Sequence, residues 1–277
     1  MKVLLFLLLW QTCSSSEVPQ VHKMSKKVFT SNIEYAGLPL DCEDFLRRGS
    51  TTSGVYVIYP RGPTLPVPVY CDMTSNSEGW TVFQKRSNGS VDFSRDWKDY
   101  RDGFGHVNTE YWLGLENIWL MTLQRDYKLR VDLEGFDNQR VYAEYAVFSL
   151  SPYALHGESD GYTLHVSGFR DGGAGDSLSN HSGQRFSTFD RDQDGDYQNC
   201  AEYIQGGFWY HANGCYHANL NGCYEGYLGS GLSWHSWTST NHSLKFTQMK
   251  IKAASKSDWE KPGSYHLKMR HQHKNKI

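Results

Sequence analysis
The 277-residue chain carries no excess of either charge: 28 Lys and Arg stand against 30 Asp and Glu, a formal net charge of −2. It therefore lacks the electrostatic footprint of a nucleic-acid-binding protein. Charged residues are only 21% of the chain and aromatics 14%, the opposite of the charge-rich, aromatic-poor composition of a disordered polymer. Proline is scarce at 8, and the 26 glycines follow no three-residue period, which excludes a collagen-like segment. Beyond the first residues no run approaches the about 20 apolar residues that cross a bilayer, so no membrane insertion is expected. There is no C-x-x-C pair, no G-x-S-x-G, no H-E-x-x-H and no P-loop. A zinc ribbon and the common hydrolase and nucleotide-binding signatures are thereby excluded.

What is present begins with Lys2, an unbroken apolar run at 3–10, and polar and small residues at 11–16. This is the pattern of a secretory signal peptide, assigned to residues 1–16. Residues 17–38 are polar and aperiodic and form a short N-terminal arm. A large domain is expected over 39–254, and a basic tail without periodicity over 255–277. Cys13 leaves with the signal peptide, so five cysteines remain: Cys42, Cys71, Cys200, Cys215 and Cys223. In an oxidising compartment that number means two bridges and one leftover thiol. Three N-glycosylation sequons, at Asn88, Asn180 and Asn241, fit secretion and assert surface loops.

Within the domain, an acidic-fronted helical turn is expected near Cys42. β-Branched and aromatic stretches bounded by turn residues predict strands at 55–59, 66–71 and 80–85. Short helices follow at 97–102, stopped by Gly103, and at 116–122. Alternation predicts strands at 127–133 and 141–150. From 157 to 232 Gly, Ser, Asn and Asp dominate, so regular structure should be sparse and the loops functional. A last strand at 244–252 returns to the core.

The strongest chemical signal is Asp-Arg-Asp-Gln-Asp-Gly-Asp at 190–196. Four carboxylates at every second position repel one another unless solvent or a cation intervenes. Ca2+ takes about six to eight oxygens, carboxylate and carbonyl alike. An acidic surface turn without metal is the plainer alternative. The run matches the start of an EF-hand loop, but the twelfth place holds Ala201 where a bidentate Glu is required. The flanks disagree too: residues 185–189 look extended, and Cys200 sits where the exiting helix should start.

Five ordered motifs carry a resemblance: Gly-Trp-Thr-Val-Phe-Gln-Lys-Arg at 79–86, Glu-Tyr-Trp-Leu-Gly-Leu at 110–115, Phe-Ser-Thr-Phe-Asp-Arg-Asp at 186–192, Asn-Cys-Ala at 199–201 and Asn-Leu-Asn-Gly at 219–222. Together they resemble the fibrinogen C-terminal domain. The resemblance implies an α+β fold: a small N-terminal part, a central twisted antiparallel sheet with short helices, and a loop-rich part carrying calcium and ligand sites. It implies that Cys42 pairs with Cys71 and Cys200 with Cys215, leaving Cys223 over as a buried free thiol or an intermolecular bridge. For calcium it implies side-chain oxygens from Asp192 and Asp194 and main-chain carbonyls from Asp196 and Gln198, with Asp190 just outside as a loop-shaping carboxylate.

Lectin members of the family hold an acetyl group beside the second disulfide. That implies backbone donors at Cys215 and Tyr216, a cis Gly214–Cys215 peptide that aims them, and Tyr227 as an aromatic wall. Ile204 and Thr240 stand where further aromatics would be expected. No Arg-Gly-Asp triplet is present, and the arm has no cysteine before Cys42 for linking chains. The function implied is a secreted, non-catalytic recognition protein of the extracellular matrix. It would use Ca2+, act as a homo-oligomer and bind matrix or elastic-fibre proteins or acetylated glycans. The competing readings are a purely structural matrix glycoprotein and a secreted hydrolase.

Overall fold
The computed structural model describes residues 37–255, apart from 213, 227–229 and 239–242. The segments expected to be signal peptide and basic tail, with nearly all of the expected arm, lie outside the described residues, as do Tyr227, Thr240 and Asn241.

Asp41 starts the first helix, α1 (Cys42–Arg47), by accepting the N–H of Asp44 with its carboxylate. Then come β1 (Gly54–Ile58), β2 (Val67–Asp72) and β3 (Trp80–Arg86). The helix α2 (Trp97–Asp102) is capped by Asp96 and ends at Gly103. The two-residue strands β4 (Phe104–Gly105) and β5 (Tyr111–Trp112) lead into α3 (Leu115–Gln124). The long strands β6 (Tyr127–Glu134), β7 (Arg140–Leu150) and β8 (Leu164–Gly172) follow. After a loop-rich stretch come α4 (Cys200–Ile204), β9 (Ala218–Asn219), β10 (Ser233–Trp234), α5 (His235–Thr238) and β11 (Phe246–Ala253).

The main sheet runs β1-β2-β3-β11-β6-β7-β8, antiparallel throughout, with β5 joining β3 beside β2 and β4 joining β5. The C-terminal strand thus lies between β3 and β6, at the centre of the sheet. On β6 the alternation seen in sequence is borne out: Tyr127, Leu129, Val131 and Leu133 are buried and the residues between them are partly exposed. Strand β8 corrects the expectation of sparse structure after 157. Its sequence, Leu-His-Val-Ser-Gly-Phe-Arg-Asp-Gly, hides its strand character because only its first residues are buried and Gly168 interrupts it. Gly168 has φ +73°, and a Cβ there would meet the Ala146 Cβ at 2.7 Å. Only glycine allows β8 this close to β7.

The loop-rich part is held to the sheet by aromatic rings packed edge-on or tilted. The Phe186 ring lies 5.0 Å from Tyr100, 5.0 Å from Trp209 and 5.8 Å from Trp112, centroid to centroid. Such pairs contribute about 0.5–1.5 kcal/mol each beyond the area they bury. Loops with little regular structure are anchored here by rings rather than by ladders of backbone hydrogen bonds. A cleft of about 380 Å³ opens between β2 and β4–β5, lined by residues such as Val67, Phe104 and Asn117. It shares no lining residue with the acidic loop or the second disulfide, so it is not the expected acetyl pocket.

Candidate calcium loop and disulfide segment
Residues 190–199 form a tight loop fixed from both sides. Asp190 accepts the Trp97 N–H at the start of α2 (2.9 Å) and the Thr188 hydroxyl (2.7 Å). It is the loop-shaping carboxylate expected from sequence. Arg191 lies over the Trp97 ring at 4.0 Å and pairs with Glu158 at 3.3 Å. At the far end Asn199 donates to the Thr188 and Phe189 carbonyls and caps α4 by accepting the Glu202 N–H. The loop is entered from extended backbone, since Ser187 bridges to Phe208. The expected absence of a helix after the loop is corrected: α4 starts at Cys200 itself. Ala201, at the EF-hand's twelfth place, is buried and offers no carboxylate.

Between these anchors the acidic side chains knit the loop to the second disulfide. Asp192 Oδ1 accepts the Asp194 N–H at 3.2 Å. Asp194 accepts the Asp196 N–H at 2.9 Å and the Cys200 N–H at 3.1 Å. Asp196 accepts the Tyr197 N–H at 2.8 Å and the Gly214 N–H at 3.1 Å. Gln198 is exposed. Burial pushes the Asp194 carboxyl above the usual carboxylate range; the N–H groups of Asp196 and Cys200 pull it down, and the charges of Asp192 and Asp196 push it back up. An all-oxygen donor set of this kind suits a hard divalent cation. Asp196 also lies near the sulfurs of Cys200 and Cys215, but these are bridged to one another and are not ligands.

The disulfides are Cys42–Cys71 and Cys200–Cys215, closing separations of 29 and 15 residues. Each contributes about 2–4 kcal/mol, mainly by restricting the unfolded chain. Gly206, just past α4, has φ +98°, and a Cβ there would sit 2.2 Å from the Asn221 carbonyl, so the segment closes against 219–222 only with glycine.

The acetyl-site geometry differs from expectation. No peptide bond is cis among the described residues, so Gly214–Cys215 is trans, with Cys215 at φ +66°. In that turn the Tyr216 N–H donates to the Gly214 carbonyl at 2.8 Å, so it is already engaged. Ile204 is buried. Burial, with the nearby Tyr203, pushes the Tyr216 phenol up. Tyr203 and Tyr197 were not singled out from sequence, yet they are 75% and 91% exposed beside the disulfide and in the acidic loop. Nothing in residue type distinguishes an exposed tyrosine from a core one in so aromatic a chain.

Asn88 and Asn180 are exposed, as sequon asparagines should be. Cys223 is a free, exposed thiol, not a buried one. If it links chains, non-reducing gels should show a dimer for the wild-type protein and a monomer for Cys223→Ser. Monomers for both would end that idea.

A family model described as fibrinogen beta and gamma chains, C-terminal globular domain, matches residues 38–254. The chain belongs to the fibrinogen C-terminal domain family. This fibrinogen domain is 57% identical over 221 residues to microfibril-associated glycoprotein 4 of Bos taurus, covering 78% of this chain and 86% of that protein. It is 46% identical over 215 residues to fibrinogen C domain-containing protein 1 of Homo sapiens, covering 76% of this chain and 46% of that protein. The fibrinogen-like globe domain of human ANGPTL2 superposes with a TM-score of 0.73 at 40% identity, covering 78% of this chain and 100% of that one. Lamprey fibrin D-dimer, complexed with the peptide Gly-His-Arg-Pro-amide, superposes at 0.69 with 37% identity, covering 77% and 73%. The fibrinogen motifs turn out to be staples of the fold. Glu110 is fully buried and accepts the N–H groups of Ser87, Asn88, Gly89 and Val91, while Gln84 donates to the Leu220 carbonyl and Asn221 to that of Gly207.

Proposed function
We propose that this chain is a secreted, non-catalytic recognition protein of the extracellular matrix that binds matrix proteins through a calcium-braced surface. The matrix assignment rests on the 57% identity to microfibril-associated glycoprotein 4. The calcium assignment rests on one observation: Asp194 and Asp196 hold Cys200 and Gly214, so the acidic loop grips both ends of the disulfide-closed segment. Ca2+ bound by the Asp192 and Asp194 side chains and the Asp196 and Gln198 carbonyls, with water completing the shell, would offset the crowded negative charge and stiffen that segment. The exposed rings of Phe189, Tyr197 and Tyr203 then form the contact face, aromatic residues being enriched where proteins meet.

A second reading, capture of acetylated glycans, is favoured by the two tyrosines that follow the disulfide cysteines, the exposed Tyr203 after Cys200 and Tyr216 after Cys215. It is opposed by the engaged Tyr216 N–H and the trans Gly214–Cys215 bond. The two separate on paired resins, one bearing elastic-fibre protein and one bearing acetyl groups. The protein is expected to stay on the first in Ca2+ and to leave with chelator but not with free acetate. Retention on the acetyl resin with elution by acetate would shift the assignment to the glycan reading. Matrix binding indifferent to chelator would remove calcium from it.

A further inference from the structure
Four histidine rings stand in a row outside the calcium loop. Ring centroids are 5.0 Å apart for His181 and His211, 5.0 Å for His211 and His217, and 5.7 Å for His217 and His235. One ring nitrogen from each of His181, His211 and His217 lies within 4.8 Å of the others. The first ring is committed to the fold. His181 Nδ1 bonds the Trp209 carbonyl at 2.7 Å, and its Nε2 accepts the N–H groups of His217 and Ala218, both at 3.1 Å. Burial drives its pKa down to about 3, so it is a neutral structural imidazole.

The next two rings are differently placed. His211 Nδ1 lies 2.7 Å from the Ala212 carbonyl, which keeps the proton on that nitrogen and leaves the Nε2 lone pair pointing at His217 Nδ1, 3.0 Å away. Zinc–nitrogen bonds of about 2.0–2.1 Å at a tetrahedral angle place two ligand nitrogens about 3.3 Å apart. The observed pair is therefore within a few tenths of an ångström of a shared metal. A metal-bound histidine usually donates its other ring N–H to a carbonyl or carboxylate, and Ala212 already supplies that partner. His217 is half-buried and His235 is exposed, so the pair is open to solvent on one side.

We propose that His211 Nε2 and His217 Nδ1 form a site for a divalent transition metal of the zinc class, with His235 rotating in as a third ligand and water completing the shell. On binding, the proton between the two rings moves to His217 Nε2 and the ion takes the place of the hydrogen bond, so both ligands remain neutral imidazoles. The nitrogen donors here and the all-oxygen loop at 190–199 suit different ions, so each site should select its own. The His211 N–H holds the Cys215 carbonyl and the His235 N–H holds the His217 carbonyl. The ion would thus tie the disulfide segment to the β9–β10 ribbon.

The test uses the full-length chain carrying His266→Ala, His271→Ala and His273→Ala to silence the tail, saturated with Ca2+ to occupy the acidic loop. Zn2+ is titrated by calorimetry, and Co2+ by visible absorption, which separates tetrahedral nitrogen ligation from oxygen ligation. A stoichiometric Zn2+ site is expected, lost in His211→Ala and in His217→Gln. His235→Ala should weaken it by at least about tenfold, the lower end of what losing one supporting group at a metal costs. Should the nearly buried His211 be needed for folding, the half-exposed His217→Gln decides alone. Zn2+ and Co2+ titrations unchanged in His217→Gln, or Zn2+ uptake that merely displaces Ca2+, would overturn the assignment.

Discussion

Asp192→Ala is expected to abolish calcium binding and leave the calcium-free protein as stable as the wild type, whereas Asp194→Ala should lose both calcium and stability. The difference lies in what each carboxylate does without metal. Asp192 is exposed and makes one local bond, to the Asp194 N–H. Losing it removes a charged ligand and little else, because an exposed local turn bond is readily replaced by water. Asp194 is half-buried and accepts N–H groups from Asp196 and from Cys200, the first residue of α4. Hydrogen bonds to a charged group contribute about 1.5–3 kcal/mol each, and alanine takes the acceptor from both N–H groups. Calorimetry with Ca2+ and thermal melts in chelator separate the two effects. Unchanged calcium affinity in Asp192→Ala would remove that side chain from the ligand set. Equal melting of the two variants in chelator would refute the structural role given to Asp194.

The legible parts of this molecule were those whose signals are local. Alternation along 127–133 and the β-branched stretches at 55–59 and 80–85 gave strands to within two residues, because each side chain's face is fixed by its neighbours in sequence. The two disulfides followed from the family motifs, and those motifs are readable because they hold distant pieces together: Glu110 receives the turn at 87–91, and Asn221 and Gln84 join the loop-rich part to the sheet. Strand β8 was missed because its outer half is exposed and glycine-bearing, so it exists only by pairing with β7. The trans Gly214–Cys215 turn and the engaged Tyr216 N–H depend on backbone φ, which a Cys-Tyr pair does not encode. The histidine row was invisible for another reason: His181, His211, His217 and His235 are separated by up to dozens of residues and meet only through the fold.

Lys250→Met should cost about 3–5 kcal/mol of stability near neutral pH, the usual penalty for removing one partner of a buried ion cluster. In sequence the strand 246–253 alternates, with Thr247, Met249 and Ile251 on one face and Gln248, Lys250 and Lys252 on the other. That second face would ordinarily meet solvent, yet Lys250 is 1% exposed. Its ammonium sits 2.7 Å from Asp72 and 2.8 Å from the Ser75 hydroxyl, pairs with Asp132, and faces the Trp80 ring. Methionine fills a similar volume, so the loss measures electrostatics rather than a cavity. Burial raises the Asp72 carboxyl, but the Lys250 charge and the hydrogen bonds from Lys250 and Ser75 outweigh it and hold the group well below the usual range. A depressed native pKa contributes stability above the unfolded value of about 3.9 and loses it as pH falls through the native value. Without Lys250 the burial effect prevails, the Asp72 carboxyl rises above its ordinary value, and the sign reverses: the variant gains stability as acid neutralises the stranded carboxylate. The gap between wild type and variant should therefore be widest near neutral pH and narrow steadily towards pH ~4. Adding Asp72→Asn to Lys250→Met should recover part of the loss at neutral pH, because the asparagine keeps the turn contacts to Thr74 and Ser75 without the charge. Denaturant unfolding at a series of pH values gives the answer. A loss below about 1 kcal/mol, the range of an exposed pair, or a gap that does not change with pH, would mean that Lys250 is not the charge that holds β11 between β3 and β6.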